Sequence, residues 1–349
     1  MQNSKRERRK HKFSALIRAL FIPFLFAAVL SLISAANGKA MIPNRSAFHN
    51  FVIYTAIVML TTMALSINLN SGRFDFSLGA MALFSSLIAA KLTYAVLGGG
   101  PGSAVMIFVL SLAAGACLGL ISGLIYVLLR IPPIITSLGV TLIYEGAIYT
   151  ITGGRYVMEE VQNASMAAFS AHAVYALIII AAVLGLMIYL FNYTVFGFNY
   201  RALKEGQKVA VHTGIKEIPN ALACYAISGG LMGMVGFMNA ARNTNINGGN
   251  LNFSSVGIMF TAFLPMFIGS YIGRFINTEI GFFLAALCMS MLNSCFAAFS
   301  NQINASAQAI INALLLLLFL IYLSNENLLR NVLQNRGQRS RPNCNQKHA

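Results

Sequence analysis

Two carboxylates inside long apolar segments are the side chains of this sequence most able to do chemistry. Asp75 lies in SGRFDFSLGA and Glu145 lies in TLIYEGAIY. A charged side chain at the centre of a bilayer costs about 2.5–3.5 kcal/mol on insertion scales, so each should face protein or a water-filled cavity. Each can form a polar wall of a solute path or a structural contact, and Arg73 is a candidate ion-pair partner for Asp75. Asn239 and Asn293 are weaker candidates, more typical of hydrogen bonds between helices.

Residues for covalent, metal or nucleotide chemistry do not form a recognisable set. Asp75 is the only aspartate, so no Ser–His–Asp arrangement can be assembled. No GxxxxGK(S/T) loop is present to hold ATP phosphates, and the five histidines are scattered rather than spaced as metal ligands. Four cysteines lie singly in apolar segments and are typical of small packing residues: Cys117, Cys224, Cys288 and Cys295. The sequence therefore predicts no enzyme activity, no metal site and no cofactor.

The elements that must position these residues are long apolar segments. The chain has 349 residues, 57% hydrophobic and 9% charged, and its mean hydropathy is +0.70. A soluble domain carries about a quarter charged residues. Ten segments have about the 20 residues that a helix needs to cross a bilayer: residues 14–36, 50–67, 74–97, 104–129, 133–152, 172–191, 220–240, 254–272, 278–299 and 305–323. Their continuous apolarity predicts an all-α polytopic membrane protein with about ten transmembrane helices.

The distribution of basic residues predicts the orientation of the spans. MQNSKRERRKHK precedes an apolar stretch that is too long for the core of a signal peptide, which favours a retained first span. With the N-terminus inside, 19 of the 24 lysines and arginines face the cytoplasm. Both termini are thus predicted to be cytoplasmic, with basic tails over 1–13 and 326–349 around a transmembrane domain over 14–325. This bias explains the net charge of +15, so no nucleic-acid partner is expected.

Glycines mark two spans for close helix packing. Gly115, Gly119 and Gly123 lie four residues apart in one segment, and ISGGLMGMVG places four more glycines in another. Small residues at this spacing form a flat stripe against which a second helix can pack.

One polar segment interrupts the apolar pattern on the predicted cytoplasmic side, over residues 192–219. Six of the twenty residues in YRALKEGQKVAVHTGIKEIP are charged. The pattern predicts a short amphipathic helix with Lys204 and Lys208 on one face and Gly214 at its end. The other face is apolar: Leu203, Ala210 and Val211. About three helical turns are not stable alone in water, so this helix needs a lipid surface or another protein to pack on.

Four stretches of the chain resemble the permease subunits of bacterial ABC importers of the ribose, simple-sugar and branched-chain amino-acid type. FDFSLGA is similar to a signature of that family that contains Asp, Ser and Gly, which places Asp75, Ser77 and Gly79 on those positions. PPIITSLGVTLIYEGAIYTITGGR resembles a second family stretch, although Glu145 stands where sugar-type members often have Arg. FGFNYRALKEGQKVAVHTGI resembles the family's cytoplasmic loop. IGFFLAALCMSMLNSCFAAF resembles the family's closing segment and places Asn293 on the Asn of that segment. The glycine-rich segment before the ninth span is reduced here, as in a divergent member.

The resemblance implies a transport pathway without covalent catalysis, in a bacterial plasma membrane. Two permeases, identical or different, would form a dimer in membrane lipid, an ABC ATPase subunit would bind ATP, and an extracytoplasmic solute-binding protein would deliver a small polar solute, most simply a monosaccharide. The candidate path residues are Asp75, Ser77, Gly79, Glu145 and Asn293. The candidate ATPase coupling residues are Arg201, Ala202, Leu203, Lys204, Glu205, Gly206, Ala210, Gly214 and Ile215.

Two other classes of protein remain open from the residues themselves. A stand-alone secondary transporter or channel would use Asp75 and Glu145 for ion coupling or permeation and would need no ATPase. A membrane-embedded enzyme acting on lipid would need an acid–base or metal set, which the sequence does not display.

Overall fold

The computed structural model describes residues 2–300 and 303–325 of the chain. These residues form helices and two short strands in this order: α1 (Gln2–Ala36), α2 (Arg45–Asn70), α3 (Leu78–Leu97), α4 (Ser103–Leu129), α5 (Pro133–Thr152), β1 (Tyr156–Val157), α6 (Ala164–Ala171), α7 (Ala173–Tyr193), α8 (Val195–Glu205), α9 (Gln207–His212), α10 (Glu217–Asn243), β2 (Ile246–Asn247), α11 (Val256–Phe260), α12 (Phe263–Gly273), α13 (Thr278–Ala298) and α14 (Ala305–Ser324). The predicted basic tail over 326–349 lies outside the described residues.

The predicted all-α, multi-span class is confirmed. Within the described residues, ten helical segments are long and apolar enough to cross a membrane, and they lie close to the ten predicted spans. The fifth, α5, has the predicted bounds, because Pro133 fits its first turn and Gly153 ends it with a left-handed φ of 62°. The side of the membrane on which each terminus lies stays a prediction, as do the predicted tail and domain boundaries.

The eighth span is interrupted, which the sequence pattern did not predict. It consists of α11 and α12, two short helices that together cover Val256–Gly273. The chain enters α11 through Asn252 and Phe253, which have left-handed φ values of 58° and 65°. At the break itself the Thr261 and Ala262 N–H groups bond within the segment, to the Gly257 and Met259 carbonyls. Amides that precede α11 must instead find partners on neighbouring elements.

Helix α10 occupies the centre of the larger compact unit, which ends at Ser300. It packs most extensively on α4 and also on α2 and α3, while α12 packs on α13. A second unit begins at Asn301 and contains α14. That helix begins with a side-chain cap, in which Asn304 Oδ1 accepts the Ala307 N–H at 2.9 Å.

Glycines bring the backbones of α4 and α10 into direct contact. A Cβ built on Gly115 would lie 2.9 Å from the Gly233 Cα, and one on Gly119 would lie 3.1 Å from the Gly229 Cα. The predicted small-residue stripe is therefore a packing surface, and the glycines of the two helices face one another.

A Gly119→Ala substitution is expected to lower the melting temperature of the protein in detergent. Its methyl group would lie 3.0 Å from the carbonyl carbon of Tyr225 and would push α4 away from α10. Overpacking of this kind costs about 1–3 kcal/mol. Gly185 on α7 has no atom within 4 Å of its Cβ position, so Gly185→Ala is the matched control, and equal melting temperatures for the two variants would contradict the close packing.

A small antiparallel sheet joins the loop after α5 to the loop after α10. β1 pairs with β2, with Tyr156 opposite Asn247. The loop after α5 is also held to α3 by an ion pair between Lys91 and Glu160. The loop after α10, which continues into the interrupted span, is therefore anchored at its beginning.

Candidate functional site

Asp75 is a fully buried hydrogen-bond acceptor in the turn between α2 and α3. Its Oδ1 accepts the backbone N–H of Ser77 at 2.9 Å and the Ser77 hydroxyl at 2.6 Å. Its Oδ2 accepts from Asn68 Nδ2 at 3.3 Å. Three donors stabilise a carboxylate that burial would otherwise destabilise.

The partners of Asp75 connect it to two further helices. Asn68 on α2 donates a second hydrogen bond to Ser228 on α10, at 3.0 Å. The Ser77 hydroxyl lies 3.4 Å from the Ser122 hydroxyl on α4. This Asp75 cluster (Asn68, Asp75, Ser77, Ser122 and Ser228) thus connects four elements of the core, and the prediction that Asp75 and Ser77 line a solute path stays a prediction.

The sequence suggested that Arg73 pairs with Asp75, but in the structure Arg73 pairs with Glu217. The Arg73 Nη2 atom lies 3.0 Å from the Glu217 Oε1 atom, and the Arg73 side chain is buried. Glu217 is the first residue of α10, where a negative charge is favoured by the helix dipole. The suggested pairing was wrong because a carboxylate remote in sequence packs closer to the guanidinium in the fold.

Glu145 holds the backbone at the entrance to the interrupted span. Its Oε1 accepts the Ser255 N–H at 2.9 Å and the Ser255 hydroxyl at 2.6 Å, and its Oε2 accepts the Phe253 N–H at 2.9 Å. The side chain is fully buried on α5. Glu145 therefore acts as an N-terminal cap supplied by another helix, since it pairs amides that precede α11.

Gly79 packs against the same backbone. A Cβ on Gly79 would lie 2.7 Å from the Ser255 carbonyl carbon, a separation that real side chains do not adopt. Gly79 on α3 and Glu145 on α5 therefore both contact Ser255. The sequence identified both residues as candidates but gave no signal that they share a contact.

A row of phenylalanines runs beside this junction, and sequence reasoning missed it. The ring centroids of Phe74 and Phe263 are 5.9 Å apart, and those of Phe76 and Phe260 are 6.2 Å apart. Phe260 and Phe263 stack at 5.5 Å, and Phe260 is 54% exposed. The available signal was the placement of Phe74 and Phe76 on either side of Asp75, together with three phenylalanines at helical spacing in α11 and α12: Phe260, Phe263 and Phe267.

Asn293 is half-buried on α13. It is not a hydrogen-bond partner of Asp75 or Glu145 among the described residues. Its assignment to a solute path stays a prediction. No group of three or more His, Cys, Asp or Glu residues in the described part of the chain could hold a metal ion.

The polar segment between α7 and α10 forms two short helices, not the single helix predicted. α8 begins after Thr194, whose hydroxyl accepts the Gly197 N–H at 3.4 Å. α9 ends at His212, and Gly214 follows it with a left-handed φ of 93°, as predicted for a glycine stop. There the Ile215 N–H donates to the Ala210 carbonyl at 3.2 Å, and the Gly214 N–H donates to the Val211 carbonyl at 3.0 Å. This is the capping pattern that favours glycine.

Buried residues of α8 and α9 attach them to the spans. Tyr200, Leu203 and Ala210 are buried, whereas Val211 is 43% exposed, so Val211 does not share the buried face of Leu203 and Ala210. The Tyr200 hydroxyl lies 3.3 Å from the Ile67 carbonyl oxygen on α2. Burial raises the pKa of the Tyr200 phenol above its usual value, so it remains a neutral donor.

The opposite surface of α8 and α9 is exposed and charged. Arg201, Lys204, Glu205 and Lys208 are exposed, while Ala202, Gly206 and Ile215 are half-buried. A cavity of about 330 Å³ lies beneath α8, between residues of α2, α7 and α13. The segment is therefore a polar surface that rests on the ends of several spans.

Comparison with known proteins gives one family and several distant relatives. Residues 48–323 match the family described as branched-chain amino acid transport system / permease component. An autoinducer 2 import system permease protein LsrC from Klebsiella pneumoniae subsp. pneumoniae is 26% identical over 180 residues, which are 48% of this chain and 52% of the relative. The protein of the same name from Photorhabdus luminescens is 24% identical over 183 residues, 49% of this chain and 55% of the relative. That from Yersinia pseudotuberculosis is 23% identical over 246 residues, 66% of this chain and 68% of the relative.

The matches span about half the length of the first two relatives and about two thirds of the third. No solved structure matches the chain. The family match, in contrast, covers most of the chain and contains all or nearly all of every described span except α1. The chain is therefore a multi-pass protein of the bacterial plasma membrane and belongs to the permease family of ABC importers.

Proposed function

We propose that this chain is the permease subunit of an ABC importer and forms the path for a small polar solute, most simply a monosaccharide. The observation that carries the proposal is the α8–α9 segment, a charged surface fixed to the spans by buried residues in a chain without a nucleotide-binding loop. A separate ATPase subunit would bind ATP and dock on this surface. The relatives named as autoinducer 2 import permeases support an import role for a small solute.

The interrupted span supplies the best candidate for the solute path. Discontinuous helices commonly mark binding sites inside membrane transporters, because their free backbone groups can face a solute. Here the exposed ring of Phe260 and its aromatic neighbours lie beside backbone held by Glu145. Aromatic faces with a few placed polar groups suit the apolar and hydroxylated surfaces of a sugar ring.

The other partners follow from the same function. A second permease, identical or related, would complete the path, and an extracytoplasmic binding protein would supply the solute. Solute choice would then depend largely on that binding protein. The chain itself would need no cofactor and would catalyse no covalent reaction.

The alternative, a stand-alone ion-coupled carrier, receives less support. Such a carrier needs carboxylates that bind or release ions along the path. Asp75 and Glu145 are both fully buried and each accepts three hydrogen bonds from the chain itself. These contacts favour structural roles for both carboxylates over ion coupling.

A Lys204→Glu/Lys208→Glu variant tests the docking surface. Reversing two exposed charges should weaken ATPase co-purification by about tenfold or more, because complementary charges at an interface become repulsive. The variant should still insert and melt at the wild-type temperature, since both side chains are exposed. Arg155→Glu, at another exposed position, is the control and should co-purify normally. Normal co-purification of the double variant would refute the docking assignment.

A further inference from the structure

Arg73 joins the cytoplasmic segment to the buried core through one acidic residue. Its guanidinium is buried and pairs with Glu217 at 3.0 Å, at the start of α10. Gln207, the first residue of α9, donates its side-chain N–H to the same Glu217 oxygen at 2.6 Å. Glu217 thus connects α9 with the turn between α2 and α3.

The turn that carries Arg73 is part of the Asp75 cluster. The Arg73 backbone N–H donates to the Asn68 carbonyl at 3.0 Å, and the Asn68 side chain donates to Asp75 at 3.3 Å. Asp75 in turn accepts from Ser77, and Gly79, two residues on, packs against Ser255. A continuous series of contacts therefore runs from α9 to the entrance of the interrupted span.

Stability alone does not account for the Arg73–Glu217 pair. The Nε and Nη1 atoms of Arg73 are buried and have no hydrogen-bond partner among the described residues. Only the Arg73 end of the pair is buried: its side chain is 4% exposed and that of Glu217 is 31% exposed. Burying a cation with unpaired donors is unfavourable, and apolar replacements of buried ion pairs are often neutral or stabilising. Because the pair contributes little to stability but connects α10 with the α2–α3 turn, we infer that its role lies in this connection.

We propose that Arg73 is a positioning residue, and that the Gln207–Glu217–Arg73 link transmits displacement of α9 to the Asp75 cluster and thus to the solute path. This inference rests on the proposed function, since it needs an ATPase that moves α9. Displacement of α9 would pull on the Glu217 carboxylate and, through the charge-assisted bond, on the α2–α3 turn. Coupling requires a contact whose state depends on both sites. The Gln207–Glu217–Arg73 link is such a contact, because it connects the proposed ATPase docking surface on α9 with the proposed solute path.

The test replaces the ion pair by apolar side chains. An Arg73→Met/Glu217→Leu variant is reconstituted with its ATPase and binding protein, and three quantities are measured: melting temperature, ATPase co-purification and uptake of labelled D-ribose per ATP hydrolysed. The melting temperature should equal or exceed that of the wild type, and co-purification should be unchanged. Uptake per ATP should fall by about tenfold, the size of a typical coupling effect.

Two further variants separate coupling from folding. Exchanging the charges, Arg73→Glu/Glu217→Arg, should restore part of the lost uptake per ATP, because the connection is remade with reversed polarity. Lys91→Met/Glu160→Leu removes the other ion pair between described residues and is the matched control. It should leave uptake per ATP at the wild-type value.

Uptake per ATP within about twofold of wild type in the apolar variant would overturn the proposal. Loss of ATPase co-purification in that variant would also overturn it, because Arg73 would then act in docking rather than in transmission. Failure of the wild-type chain to bind any ATPase is a different result. That result would refute the proposed function. It would also refute the proposed link, because the link needs an ATPase that moves α9.

Discussion

A Glu145→Ala variant is expected to lose about tenfold or more of its solute uptake and on the order of 3 kcal/mol of unfolding free energy. The substitution removes the acceptor of three donors: the Ser255 N–H, the Ser255 hydroxyl and the Phe253 N–H. Each buried donor left unpaired costs about 1–3 kcal/mol, and water entry will relieve part of the total. The segment before α11 should then lose its fixed conformation. The proposed solute path beside it should be disturbed, which lowers uptake.

Thermal unfolding in detergent and uptake into proteoliposomes measure this loss. Glu145→Gln should be intermediate, because one acceptor oxygen remains and the new amide group faces donors. Glu159→Gln, in an exposed loop, is the control and should change stability by less than about 1 kcal/mol. Wild-type stability and uptake in Glu145→Ala would show that the carboxylate does not hold this segment.

A Gly79→Ala variant is expected to abolish uptake with a large loss of stability. The added methyl group would lie 2.7 Å from the Ser255 carbonyl carbon and closer still to its oxygen. Neither backbone can move without disturbing α3 or the bonds to Glu145, so the cost should reach the upper part of the about 1–3 kcal/mol range for overpacking. The same two measurements apply.

Gly146→Ala provides a matched control for this substitution. Gly146 is also a helical glycine, next to Glu145 on α5, but no atom lies within 4 Å of its Cβ position. Alanine there should be neutral or stabilising, because glycine is the poorer helix former by about 1 kcal/mol. If Gly79→Ala transported solute as well as Gly146→Ala does, the close packing of α3 on Ser255 would be wrong.

The spans could be predicted because their signal is local. Twenty apolar residues in a row are enough to identify a helix such as α5, and Pro133 and Gly153 mark its ends. The glycine stripe of α4 was also readable, since helical spacing alone places Gly115 and Gly119 on one face. The sequence did not identify the helix that packs on this face, and the structure shows that it is α10.

The contacts of the candidate site could not be predicted, because they join residues far apart in sequence. Arg73 has a closer acidic neighbour in sequence, Asp75, yet it pairs with Glu217, 144 residues away. Glu145 binds Ser255, 110 residues away. Hydropathy and spacing carry no information about such pairs. They drew attention to Arg73 and Glu145 but not to their partners, Glu217 and Ser255.

The break between α8 and α9 explains why Val211 is exposed although Leu203 and Ala210 are buried. A single helix would place Leu203, Ala210 and Val211 on the same face. Gly206 instead has an extended φ of −173° and separates the two helices, so the helical phase starts again at α9. Ala210 remains buried, and Val211 turns outward.

Uptake of labelled D-ribose into proteoliposomes tests the central claim, that this chain moves solute only together with an ATPase. The vesicles contain the chain with its ATPase and binding protein, and enclose either ATP or a non-hydrolysable analogue. The account predicts uptake that requires ATP and stops when the ATPase is omitted or when Lys204 and Lys208 carry reversed charges. Equal uptake by the chain alone, driven by a proton or sodium gradient, would contradict it.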